Sequence, residues 1–63
     1  MSTLLADIEM FLRDHQIAPT RFGKDALGDR HFVRQVRDGR RVWPETEQKV
    51  RSFMRSFAGR EAA

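Results

Sequence analysis

The residues best equipped for chemistry in this chain are the cations clustered in its middle. From Arg30 to Asp38 the sequence reads Arg-His-Phe-Val-Arg-Gln-Val-Arg-Asp. With Phe32, Val33 and Val36 on the inner face of a helix, Arg30, His31, Arg34, Gln35 and Arg37 fall outside, and none of these is acidic. Arginine forks match guanine N7 and O6 bidentately, and a glutamine amide matches adenine N6 and N7. The outward set therefore has the chemistry to read a nucleic-acid base edge, while a solvated arginine-rich surface is the plainer alternative.

The charge distribution agrees. Net charge is +3, with 12 Lys and Arg against 9 Asp and Glu. Residues 1–20 carry one cation against three anions, residues 21–44 seven against three, and residues 45–63 four against three. A basic middle after a weakly acidic start points to one polyanion-facing surface.

Other chemistries find little support. No cysteine is present, so there is neither a disulfide nor a thiolate site. His15 and His31 lack the partners that zinc prefers, and no metal or cofactor is expected. Phosphate loops, nucleophile elbows and glycine-rich dinucleotide turns are missing. Ser2, Ser52 and Ser56 belong to no recognisable triad, and the carboxylates read as caps and solvated helix faces. The expectation is a non-enzyme with no small-molecule ligand. No apolar run is long enough for a membrane span, and Met1-Ser2-Thr3 carries no basic leader, so a cytoplasmic protein is expected, nucleoid-associated where its basic surface meets DNA.

The elements that must position the basic residues are four short amphipathic segments in one domain covering 1–63, a length that buries only about 60% of the unfolded surface. The first helix runs from about Thr3 to His15, with Leu4, Leu5, Ile8, Phe11 and Leu12 on one face and Ser2 or Thr3 as its cap. His15 falls near its end, where a cation is favoured. Ile17, Ala18 and Pro19 break the pattern. A second helix spans about Thr20 to Leu27, capped by Thr20 and ended by Gly28. A third, about 29–38, starts with Asp29 as its cap and is closed by Gly39. The fourth begins near Pro44 or Thr46 and carries the stripe Val50, Phe53, Met54 and Phe57. Residues 58–63 lack a stripe and are expected to fray. Trp43 is expected to pack under the loop before the fourth helix, with stacking on a base or sugar beside Arg41 as the alternative. The fold class is all-α, a small four-helix bundle. Its core is Leu4, Leu5, Ile8, Phe11, Leu12, Ile17, Phe22, Leu27, Val33, Val36, Val50, Phe53 and Phe57.

The stretch from Thr20 to Gly39 resembles the helix-turn-helix of the phage-repressor, or XRE/Cro-type, DNA-binding family. Gly23 matches the small residue where the two helices touch, with Phe22 and Ala26 inward beside it. Val33 and Val36 match the two inward positions of the recognition helix, and Gly39 the closing glycine. The register departs at the turn: the family's glycine position falls on Leu27, whereas the glycine here is Gly28. That departure predicts a turn in which Gly28 takes a positive φ and Asp29 caps the next helix.

The resemblance implies a lambda-repressor-like fold, with the helix of about 29–38 in the major groove of duplex DNA. It places Arg30, His31, Arg34 and Gln35 at base edges. Arg21, Lys24, Arg37, Arg40 and Arg41 then hold phosphates. The expected function is that of a small transcriptional regulator, repressor-like, acting as a homodimer on two half-sites. The exposed end of the Met54–Phe57 stripe is a candidate seam for that dimer. Two alternatives stay open: a module that binds a protein, such as a toxin or a polymerase subunit, and a non-specific nucleic-acid-binding protein.

Overall fold

The structure, a computed structural model, describes the backbone of residues 3–62 and the side chains of residues 3–57. It is all-α. Four helices follow in order: α1 (Leu4–His15), α2 (Pro19–Leu27), α3 (Phe32–Arg37) and α4 (Pro44–Ala62).

Each helix starts and stops for a local reason. The Thr3 hydroxyl accepts the Ala6 N–H at 3.1 Å, capping α1, while Ser2 lies outside the described residues. At the far end Gln16 sits in the left-handed region at φ 53°, and the Ile17 N–H reaches back to the Leu12 carbonyl at 3.0 Å. This closure satisfies otherwise orphaned carbonyls and turns Ile17 toward the core. The second helix starts one residue before the expected cap. Pro19 takes its first position after Ala18, whose carbonyl accepts the Phe22 N–H at 3.0 Å, so Thr20 lies inside the helix rather than capping it. A proline's fixed φ suits that first position, and its missing N–H costs nothing there. Pro44 opens α4 in the same way.

The core forms where the apolar faces meet. Ile8, Phe11, Leu12, Phe22, Phe32, Val33, Val36 and Val50 are buried. Leu4, Leu5, Ile17, Leu27, Phe53 and Phe57 pack half-buried around them, joined by Ala26, Val42 and Met54. Four phenylalanines interlock: Phe11 meets Phe22 at 5.5 Å between ring centroids and Phe57 at 5.4 Å, and Phe53 meets Phe22 at 5.5 Å. Burying such side chains contributes roughly 1.5–3 kcal/mol each. The His15 ring, at the end of α1, lies 4.3 Å from Phe11 and 5.1 Å from Phe57. The end of the stripe formed by Met54 and Phe57 thus leans on the α1 side of the core. The fraying expected for 58–63 falls on residues whose side chains lie outside the described set, as does all of Ala63; the backbone of α4 is helical through Ala62.

Trp43 departs from expectation. It does not pack under the loop but is 66% exposed. Val42, one residue earlier, takes the half-buried place against the core. With Val42 filling the inner site, Arg41 and Trp43 on either side of it are left exposed.

Candidate nucleic-acid interface

The α2–turn–α3 unit rests on a close approach at Gly23. A Cβ built there would lie 2.2 Å from the Asp29 carbonyl oxygen and 3.3 Å from Phe32 Cβ. No side chain fits, so hydrogen alone lets α2 touch the turn and the start of α3. The Gly23 carbonyl also accepts the Asp29 N–H at 3.2 Å.

The turn glycine takes the positive φ the sequence predicts. Gly28 adopts φ 71°, and its N–H returns to the Lys24 carbonyl at 2.8 Å. Asp29 Oδ1 accepts the His31 N–H at 3.0 Å, while the Asp29 carbonyl accepts the Phe32 N–H at 3.1 Å. Asp29 therefore closes a tight turn at residues 30–31 and does not cap α3 itself: the cap position falls on His31, which makes no side-chain cap bond, and the regular helix is Phe32–Arg37, shorter than the expected 29–38. Its end is closed by Gly39 at φ 104°: the Gly39 N–H bonds the Val36 carbonyl at 3.0 Å and the Arg40 N–H bonds the Gln35 carbonyl at 2.8 Å.

Arg40 ties the two ends of this unit together. Its Nη1 donates to Asp29 Oδ2 at 3.1 Å and to Gln35 Oε1 at 2.6 Å, with its guanidinium 5.4 Å from the centre of the Phe32 ring. The His31 N–H first, and then Arg40, hold the Asp29 carboxyl below the ordinary aspartate range. Because arginine only donates, the Gln35 carboxamide must turn its oxygen toward Arg40, which fixes the direction of its NH2 group.

The sequence-predicted residues divide into four groups. Arg21, Lys24 and Arg30 line one open groove at the start of α2 and α3, beside Thr20 and Asp25. Lys24, Arg30 and His31 line the adjoining one with Gly28 and Asp29. Arg21 shares a salt bridge with Asp25 at 3.4 Å, one helical turn on, and Arg30 Nε lies 3.5 Å from His31 Nε2. Gln35 and Arg40 form the second group, joined as described. Arg34 and Arg41 are exposed and, like Lys24 and Arg30, carry no ion pair among the described residues; Lys49 and Arg55 on α4 share that condition.

Arg37 stands apart. It makes a two-pronged bond to Glu9 of α1, Nε to Oε2 at 2.9 Å and Nη2 to Oε1 at 2.6 Å. That hydrogen bond holds the Glu9 carboxyl below its ordinary range and raises the Arg37 guanidinium. Arg51 links α4 to α1 similarly, donating to Asp7 and to Glu47 at 2.8 Å each. Glu9 and Asp7 thus join helices, a role beyond the solvated faces expected of the carboxylates. The sequence signal for both struts was the acidic bias of residues 1–20 against the basic remainder.

Among the described residues, no group of three or more His, Cys, Asp or Glu is placed to hold a metal ion, and no helix is long and apolar enough to cross a membrane. Comparison of the chain with family models, curated proteins and solved structures finds no match.

Proposed function

We propose that this chain binds duplex DNA sequence-specifically and serves as a small transcriptional regulator. The observation that carries the reading is the segregation of charge on the α2–turn–α3 unit. Of its acids, Asp25 and Asp29 are met by Arg21 and Arg40 and only Asp38, at the far end of α3, has no ion pair, while Lys24, Arg30 and Arg34 stay exposed without an ion pair among the described residues. In this reading α3 enters the major groove, Arg30, His31, Arg34 and Gln35 face base edges, and Arg21, Lys24 and Arg41 meet phosphates. Arg40 and Arg37 also belong to the phosphate set, but each first has a carboxylate to satisfy. The rigid close approach at Gly23 supports the reading, because a base-reading helix must keep a fixed angle to the helix that docks it on the backbone. One module presents a small interface, so a homodimer on two half-sites is part of the proposal.

The test is selection of bound oligonucleotides from a random duplex pool at near-physiological salt. An enriched motif is the expected result. Uniform binding with a steep salt dependence would mark a non-specific nucleic-acid-binding protein. No binding at all would leave the basic face to a protein partner.

A further inference from the structure

Trp43 is one of two large apolar side chains exposed among the described residues; the other is Met10 of α1. Its backbone is held on three sides. Val42 before it packs against the core, Pro44 after it begins α4, and its own carbonyl accepts the Glu47 N–H at 2.9 Å. The indole therefore projects into water from a fixed stem. Arg41, the next outward side chain, is exposed and has no ion pair among the described residues. Arg40, at the start of the same connector, is anchored to Asp29 and Gln35, which fastens the connector to α3.

We propose that Trp43 and Arg41 form a second DNA contact outside α3, on the sugar–phosphate backbone: Arg41 takes a phosphate, and the indole packs flat on the neighbouring sugar. This rests on the duplex-binding reading above. The choice of occupant follows from the pair of groups. A DNA strand alternates anionic phosphates with apolar sugar faces, matching a guanidinium beside a flat ring that also carries an N–H donor. An apolar protein groove would cover the ring but strip water from Arg41 without giving it a partner. The nearest exposed carboxylate along α4, Glu45, lies in the first helical turn, where the positive end of the helix offsets it.

Trp43 is the sole tryptophan, so its emission reports on this site alone. The experiment titrates the intact protein with a fluorescein-labelled duplex enriched from the random pool, following DNA anisotropy, indole emission and acrylamide quenching together. Acrylamide should quench the free protein strongly. On binding, emission should change and quenching should fall with the same midpoint as the anisotropy. Trp43→Ala should weaken binding about fivefold, the low end for an aromatic packed on a nucleotide, with base preference and melting temperature unchanged. Trp43→Phe should recover part of the loss. If the duplex binds while the indole keeps its free-state emission and quenching, this second contact is wrong and the duplex-binding reading survives. If no duplex binds, both fall.

Discussion

Arg34 and Arg37 lie three residues apart on α3, yet they meet opposite surroundings. Arg37 faces α1 and is clasped by Glu9; Arg34 faces solvent with no carboxylate partner among the described residues. The same contrast separates two regions of the molecule. Along α1, acids accept arginines from distant helices, Glu9 from α3 and Asp7 from α4. Around the α2–α3 turn, Asp25 and Asp29 are satisfied from within the unit, by Arg21 and Arg40. One region spends its charge on holding helices together, and the other neutralises the two acids beside its turn locally and leaves cations outward. Residue type alone therefore does not mark a ligand-facing arginine: what matters is whether the fold supplies it a carboxylate.

The sharpest way to break this contrast is to remove the approach that defines the turn unit. Gly23→Leu should be the most damaging substitution, because even a methyl group at this position meets the Asp29 carbonyl oxygen. Overpacking typically costs about 1–3 kcal/mol, and here it pushes on backbone in a domain with little stability to spare. A thermal melt should show a large drop, or no cooperative transition. A melt that overlays wild type would mean that α2 does not touch the turn at Gly23.

Separating the two arginines directly should give a smaller effect of opposite kinds. Arg34→Ala should leave the melting temperature unchanged and weaken the preferred duplex by about fivefold or more, the equivalent of about 1–3 kcal/mol for one base-reading arginine. It should also relax the preference at one base pair, which titrations on single-base variants of the duplex would reveal. Arg37→Ala should lower the melting temperature and leave that base preference intact. Equal weakening of every duplex by Arg34→Ala would make Arg34 a phosphate contact instead.

The smallest expected effect is on acid stability. The Arg37 hydrogen bond depresses the Glu9 pKa in the folded chain, so the pair stabilises the fold fully above the ordinary glutamate value, about 4.3. That contribution is lost as pH falls through the lower folded-state value, since the unfolded chain then binds more protons. Asp29, depressed by the His31 N–H and by Arg40, follows the same sign. Melting temperatures measured from pH 6 down to pH 3, values spanning that range, should decline for wild type and decline less steeply for Glu9→Gln. Parallel curves would show that the α1–α3 strut contributes nothing to acid sensitivity.

Much of the architecture was legible because it obeys local rules. The stripes Ile8–Phe11–Leu12 and Val50–Phe53–Phe57 follow the helical period. The turn glycine was legible too, since glycine takes the positive φ that ends α2 at no steric cost, and an aspartate after it readily accepts a backbone N–H two residues on. Thr20 misled because a capping side chain competed with a proline for the start of α2, and the proline won. Trp43 misled because packing depends on which connector residue finds the inner site, and Val42 took it. The candidate site was legible as a set of residues but not as an arrangement. Gln35, Arg37 and Arg40 all read as outward and basic or polar, yet their partners are set by neighbours that no periodicity announces.

The sequence separation of the fastening contacts also bears on how the chain folds. Arg40 and Asp29 are 11 residues apart, and the bonds of the Gly23–Phe32 turn close still shorter loops. The struts to α1 span 28 residues for Arg37–Glu9 and 44 for Arg51–Asp7. Closing a short loop costs less chain entropy than closing a long one, so the α2–α3 half should assemble first and α1 dock late. Stopped-flow refolding in a denaturant series would then divide the substitutions by rate. A mild turn variant such as Asp29→Asn should mainly slow folding, and Asp7→Asn should mainly speed unfolding. The half that would meet DNA is thereby the half that can form earliest, and the loss of α1 contacts need not be the loss of the turn.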